Sequence, residues 1–240
     1  MEIFIPVYRF KRVKGVFFDR KLGGLKGLAV FLLAVFIYGA GFAQQAAGQA
    51  SAYNIELEDS SVRIFNYRES WLPFFKRVHV ISADGIAGRL VLNERNIGDT
   101  RFQFSFPVDS LLVDEPLVKT EEQIPGQMEE ADRRHFKEKM LGPDVLNGKA
   151  HPRVVVLPES IEGKFPEYYV KVRLKIKEVE QIAAFIVRGE KDGDNLRLQG
   201  SFDLSQKAFG IEPYSAYLGM VHLKDEIRIK FNFLAKPESS

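Results

Sequence analysis

Four histidines, His79, His135, His151 and His222, are the residues best suited to acid–base or metal chemistry in this chain. A metal site wants a close pair, such as two histidines four residues apart on a helix, or histidines converging with carboxylates. These four are dispersed. His79 lies in an alternating segment beside Arg77, and His151 precedes a proline, so structural or surface roles are expected and no metal is assigned. Nucleophile contexts are missing: there is no G-x-S-x-G and no S-x-x-K, and neither glycine-rich phosphate loop occurs. With no cysteine, thiolate chemistry and disulfides are excluded. The acidic pairs Glu121-Glu122 and Glu129-Glu130 read as a solvated linker and a helix surface. No catalytic residue, no enzyme activity and no cofactor are therefore assigned.

Lys171, Arg173, Lys175 and Lys177 form a basic stripe along one face of a strand pattern. Such a stripe could meet phosphates or acidic head groups. The favoured reading is the wet outer face of a barrel strand, where lysine commonly stands guard. The opposite kind of feature is a set of phenylalanines. Phe102, Phe104, Phe106, Phe202, Phe231 and Phe233 fall on alternating apolar faces, among 20 Phe in 240 residues. Aromatic and aliphatic linings suit an apolar ligand, although the same faces would serve a packed core.

The elements that carry these residues are strands. Val170–Lys177, Ile227–Phe233 and Arg101–Phe106 alternate apolar and polar residues without error. Period two places one set of side chains on each face of a pleated strand. Further strands are expected over Val62–Arg68, Arg77–Ser82, Ile86–Asn93, Arg153–Leu157, Gln181–Arg188 and Asn195–Leu204, separated by turns such as Ala83-Asp84-Gly85 and Asp192-Gly193-Asp194. One helix is expected near Met128–Met140, between the breakers Pro125-Gly126 and Gly142-Pro143 and with Glu129/Arg133 and Glu130/Arg134 at i,i+4 spacing. The fold class is all-β with one inserted helix, closed into an antiparallel barrel or a sandwich of about eight strands. An eight-stranded barrel is just wide enough to be filled by side chains or to hold one small ligand. An outer-membrane barrel would need an apolar outer face and aromatic girdles, which the charged stretch between Leu117 and Pro152 fits badly.

The N-terminus has a different character. Leu28 to Tyr38 is unbroken apolar sequence, preceded by Lys and Arg and followed by small residues. That is the layout of a secretory signal, with cleavage after Ala43 or after Ala52; an uncleaved signal anchor is the alternative. The apolar run is shorter than the roughly 20 residues of a spanning helix. Residues 1–43 are thus read as the signal, 44–52 as a flexible lead-in and 53–236 as one domain. Seven basic and two acidic residues leave with the signal, so 27 basic and 30 acidic residues remain, a net of −3. That removes the electrostatic footprint of a nucleic-acid binder.

The order of short motifs resembles the YceI-like family of bacterial periplasmic, lipocalin-like barrels, described as polyisoprenoid-binding. Tyr53-Asn54-Ile55-Glu56 with Ser60-Ser61-Val62-Arg63-Ile64 is similar to the family's opening Y-x-I-D and H-S-x-V-x-F. Asp109-Ser110-Leu111 resembles V-x-S-I, Asp132–Phe136 the R-D-x-H-L helix, and Ala150–Val156 the K-Y-P-x-I-x-F strand. Phe209-Gly210-Ile211 and Lys224–Ile229 match D-F-G-I and D-E-V-x-L. Asp59 stands where the family has His, Asp132-Arg133 inverts its Arg-Asp, and Gln206 and Ala208 replace an Arg and an Asp, which marks a divergent member. The resemblance implies a closed barrel whose interior holds the chain of an apolar or amphiphilic small molecule, in the periplasm. The lining expected is Phe65, Phe102, Phe104, Phe106, Val172, Leu174, Ile176, Phe202, Ile229 and Phe231. The partners expected are that small molecule and, at most, a second copy of the chain in a homodimer, with no nucleic acid and no lasting transmembrane span. A secreted structural or interaction barrel with a packed interior is the alternative function.

Overall fold

The computed structural model describes residues 50–70, 77–216 and 220–238. The signal segment read over residues 1–43 lies outside them.

Eleven strands follow the expected alternation. They are β1 (Ala50–Ser70), β2 (Arg77–Ala83), β3 (Ala87–Asn93), β4 (Arg101–Pro107), β5 (Leu112–Val113), β6 (Arg153–Lys164), β7 (Glu167–Ile176), β8 (Val179–Asp192), β9 (Asn195–Ser205), β10 (Ser215–Ala216) and β11 (Val221–Pro237). All pairings are antiparallel, and the long first and last strands pair with each other from Tyr53↔Pro237 to Ser70↔Val221. That pairing closes the sheet, so no long edge remains among the described strands to recruit another chain. The closed wall has eight staves, because two staves are broken in the middle. The lower half of β1 pairs with β3 (Ala50↔Asn93 to Asn54↔Arg89) and its upper half with β2 (Val62↔Ala83 to Arg68↔Arg77). In the next stave, β4 pairs with β3 and β5 pairs with β2. The last three residues of the expected lead-in, Ala50–Ala52, belong to the first strand rather than to a coil.

Alternation decides the two faces. In β7, Val170, Val172 and Leu174 are buried while Arg173 and Lys175 are exposed. The basic stripe is the outer face as far as Lys175: Arg173 pairs with Glu159 at 2.7 Å and Lys175 with Glu180 at 3.9 Å, while Lys177 lies past the end of β7 in a turn. Two cross-strand pairs inside the barrel join a glycine to a phenylalanine. A Cβ on Gly88 would stand 2.1 Å from Phe104 Cδ1, and one on Gly200 would stand 2.6 Å from Phe231 Cζ. Each ring lies over the neighbouring backbone, where only glycine leaves room.

Among the described residues two α-helices are present where one was expected. The helix anticipated near Met128–Met140 is α2 (Glu130–Leu141); the other, α1 (Pro116–Glu121), begins on a proline. Proline at the first helical position carries no N–H to leave unpaired. Six residues are too few to show a helical period. The burial of α1 also inverts the simple pattern, with Leu117 79% exposed and Lys119 buried. Glu121 and Glu122, expected as a solvated linker, are clamped to the barrel wall. Arg63 pairs with both, donating to Glu122 Oε1 at 2.6 Å, and Lys230 Nζ donates to Glu122 Oε2 at 2.8 Å. Desolvation raises the Glu122 pKa, but the hydrogen bonds from Lys230 and Arg63 outweigh it and hold the carboxyl below its ordinary range.

Candidate functional site: an apolar cavity with a polar mouth

The barrel encloses a cavity of about 1210 Å³. Among the residues expected to line it, Phe102, Phe104 and Phe106 come from β4 and Val172, Leu174 and Ile176 from β7. Phe202 of β9 and Ile229 and Phe231 of β11 complete that set on the cavity wall. Their positions follow from the pleat, which turns every second side chain inward.

Phe65 is the exception, and the register gives the reason. Its neighbours Ile64 and Asn66 line the cavity, so Phe65 must point outward. It is nonetheless buried, beside its cross-strand partner Val80 and beneath Lys230, whose Nζ stands 4.6 Å from the ring centroid. The α1 segment gives this outer face something to pack against, which no strand pattern could reveal.

Two rings beyond the expected lining, Phe185 and Phe233, also stand on the cavity wall. Phe185 stacks on Phe202 at 4.3 Å and meets Phe231 edge-on at 5.6 Å. Phe233 bridges Phe231 at 5.2 Å and Phe104 at 5.1 Å. Phe104 and Phe233 sit on staves that are not neighbours, so this contact spans the interior. The rings form a continuous series from Phe102 to Phe202, and offset or edge contacts at these spacings are the favourable ones for aromatic pairs. Phe185 was hidden by Gln181-Ile182-Ala183-Ala184-Phe185-Ile186, where both faces are apolar and Ile182 and Ile186 face solvent.

The cavity is not apolar throughout. Exposed lining residues cluster at one end, where Gln127, Glu129, Asp132, His135 and Lys139 come from α2 and the segment before it, and Glu212 and Tyr214 from the segment before β10. This end is the mouth. On the β1–β2 wall just inside it stand Asn66, Arg68, Arg77 and His79.

His79 is held by a carboxylate that the sequence reading did not find. Asp114, which is 2% exposed, accepts from the Val80 backbone N–H at 2.8 Å and meets His79 Nδ1 at 2.8 Å, with Lys119 Nζ 3.7 Å away. Burial pushes the Asp114 pKa up; the hydrogen bonds from His79 and Val80 push it down and prevail. A carboxylate accepts only, so it fixes the hydrogen on Nδ1 and leaves Nε2 to face elsewhere. Asp114 also has φ +46°, a left-handed conformation that Asp tolerates better than most residues. Its only sequence signal is an Asp just after a short strand, which is far too common to select it. The remaining histidines lie apart: His151 is 3.6 Å from Glu178 and His222 is 3.8 Å from Glu69. Among the described residues no three metal-ligating side chains converge.

A closed antiparallel barrel with an apolar interior and one polar mouth is the architecture of a lipocalin-like binding protein. The YceI-like domain matches residues 53–235, and the chain belongs to that family. Its fold is similar to crystal structures of two relatives. BcnA of Burkholderia cenocepacia aligns with TM-score 0.56 at 16% identity, covering 76% of this chain and 99% of that one. A YceI protein of Campylobacter jejuni aligns with TM-score 0.50 at 8% identity, covering 67% and 85%. No curated protein matches this chain in sequence. YceI-like barrels are in general binding proteins rather than enzymes, and are typically periplasmic. No helix among the described residues is long and apolar enough to cross a membrane.

Proposed function

We infer that this protein is an exported carrier or sequestering protein, and that its barrel holds the apolar chain of an isoprenoid- or lipid-like amphiphile. The observation that carries this reading is the cavity. At about 1210 Å³ it exceeds the 300–1000 Å³ range of ordinary small-molecule pockets. A barrel filled by its own side chains would have no such space. Each buried methylene contributes about 0.8 kcal/mol, so a chain of ten or so gives roughly 8 kcal/mol before the costs of association. The family's polyisoprenoid-binding character and the signal-like sequence of residues 1–43 support the same reading. The nine expected side chains on the wall, with Phe185 and Phe233, are its contact surface.

A series of straight-chain alcohols competing with the neutral fluorescent probe N-phenyl-naphthylamine tests the proposal. Affinity should rise about fourfold per added methylene until the cavity is full, then level off. Native mass spectrometry of protein purified from its own cells should show an adduct that organic solvent extracts. Affinity that does not change with chain length, together with protein free of any extractable adduct, refutes the carrier reading.

A further inference from the structure

We propose that two successive cross-strand pairs inside the mouth, Asn66/His79 and Arg68/Arg77, form a headgroup site for an anionic amphiphile, one apolar chain ending in a carboxylate or phosphate. The proposal rests on the carrier reading and adds the chemical class of the polar end.

Register puts these four side chains together. Asn66 lies opposite His79 and Arg68 opposite Arg77 in the β1–β2 pairing, two residues apart on the same face, and all four line the cavity. Arg68 is partly buried; desolvation first, then the charge of Arg77, pushes its guanidinium below the ordinary value. Two guanidiniums converging on one apolar cavity match the geometry of a carboxylate or phosphate, which each can grip through paired N–H donors.

The second observation is deeper in the cavity. Asn66 is 6% exposed, and its Oδ1 is buried with no hydrogen-bond partner. A buried amide oxygen without a partner costs free energy that a ligand's polar group can recover. The amide can turn end for end within the same shape, offering Oδ1 to a ligand hydroxyl or Nδ2 to an anionic oxygen. Beside it, Asp114 holds the His79 ring through Nδ1, and His79 lines the cavity. The wall thus presents two guanidiniums at the rim and an amide and an imidazole one step inward, with the phenylalanines beyond. The carboxylates of the mouth, Glu129, Asp132 and Glu212, stand on other segments, α2 with its approach and the stretch before β10. They face the same opening and favour a cation there, so the sign of the preferred head group decides between the two walls.

The experiment uses the delipidated protein and four ligands of equal chain length: hexadecanoate, hexadecyl phosphate, hexadecanol and hexadecylamine, each displacing N-phenyl-naphthylamine. The two anions should displace the probe at concentrations about ten- to hundredfold below the alcohol. Arg77→Gln and Arg68→Gln should each remove most of that advantage and leave the alcohol unchanged, and Arg77→Lys should restore part of it. Arg77 is exposed, and its variants are checked for native far-ultraviolet circular dichroism. Equal displacement by all four ligands, or an anion advantage that survives both glutamine variants, overturns the headgroup site but leaves the carrier reading standing. A preference for the amine assigns the mouth to its carboxylates and overturns the proposal. Displacement by none of the four overturns the carrier reading and the headgroup site together.

Discussion

Replacing Asp114 by alanine removes one carboxylate and disturbs three contacts at once. The Val80 N–H loses an acceptor at 2.8 Å, His79 Nδ1 loses its partner at 2.8 Å, and Lys119, 6% exposed, keeps its charge with the nearest anion gone. Breaking a buried pair from one side costs about 3–5 kcal/mol. The backbone at φ +46° adds about 1 kcal/mol more for a residue that lacks the local hydrogen bonding of Asp. The total, roughly 4–6 kcal/mol, approaches the whole stability of many domains. Urea unfolding at neutral pH should therefore move the midpoint down by about 2 M, for a slope near 2–3 kcal/mol per M. Asp114→Asn keeps an acceptor for Val80 and should cost less, about 1–3 kcal/mol. Pairing Asp114→Ala with Lys119→Met should recover part of the loss, since the stranded charge goes too.

The pH dependence of the same group has a definite sign. Asp114 has a folded pKa below its unfolded one, so its contribution is complete above the ordinary carboxylate range. It is lost as pH falls from about 4 through the folded value. The stability difference between wild type and Asp114→Asn should shrink as pH falls below about 4. A loss of under 1 kcal/mol in Asp114→Ala, or a difference that does not shrink in acid, refutes the assignment of Asp114 as the buried anchor of His79 and Lys119.

Three further substitutions probe other parts of the structure. Gly88→Ala must push the Phe104 ring, whose Cδ1 would lie 2.1 Å from the new methyl group, and should cost about 1–3 kcal/mol in urea unfolding; Phe104→Leu in the same chain should relieve it. Leu174→Trp adds bulk to the cavity wall and should shorten the alcohol chain length at which probe displacement levels off, without weakening the short members of the series. Glu122→Gln leaves Arg63 and Lys230 without their shared carboxylate and should destabilise by about 1 kcal/mol at low salt, less at high salt, because the three side chains are partly solvated.

The sequence made most of the wall legible because burial on one side of a strand forces period two. Val170–Ile176 and Ile227–Phe233 could be assigned inward and outward residue by residue, whereas Lys177, the last of the expected strand, lies in the turn after β7. The family resemblance, carried by weak motifs in the right order, is matched by the YceI-like domain over residues 53–235. The same rule failed where a strand is covered on both sides. Phe65 read as lining, yet α1 and the Arg63–Glu122–Lys230 clamp lie on its outer face. Phe185 was not singled out, because Ile182 and Ile186 put apolar residues on the wet side and mask the alternation.

What the chain by itself determined is the strand set, the absence of cysteine chemistry, and which alternating residues share a face, since all three depend only on residue type and spacing. Tertiary structure decided the rest. Closure of β1 onto β11 turned faces into a lumen, and only closure fixes its volume. Register placed Asn66 and Arg68 opposite His79 and Arg77. Asp114 reached His79 from 35 residues along the chain. Distances between side chains far apart in sequence depend on how staves stagger around a barrel, and no local pattern of residues encodes that stagger.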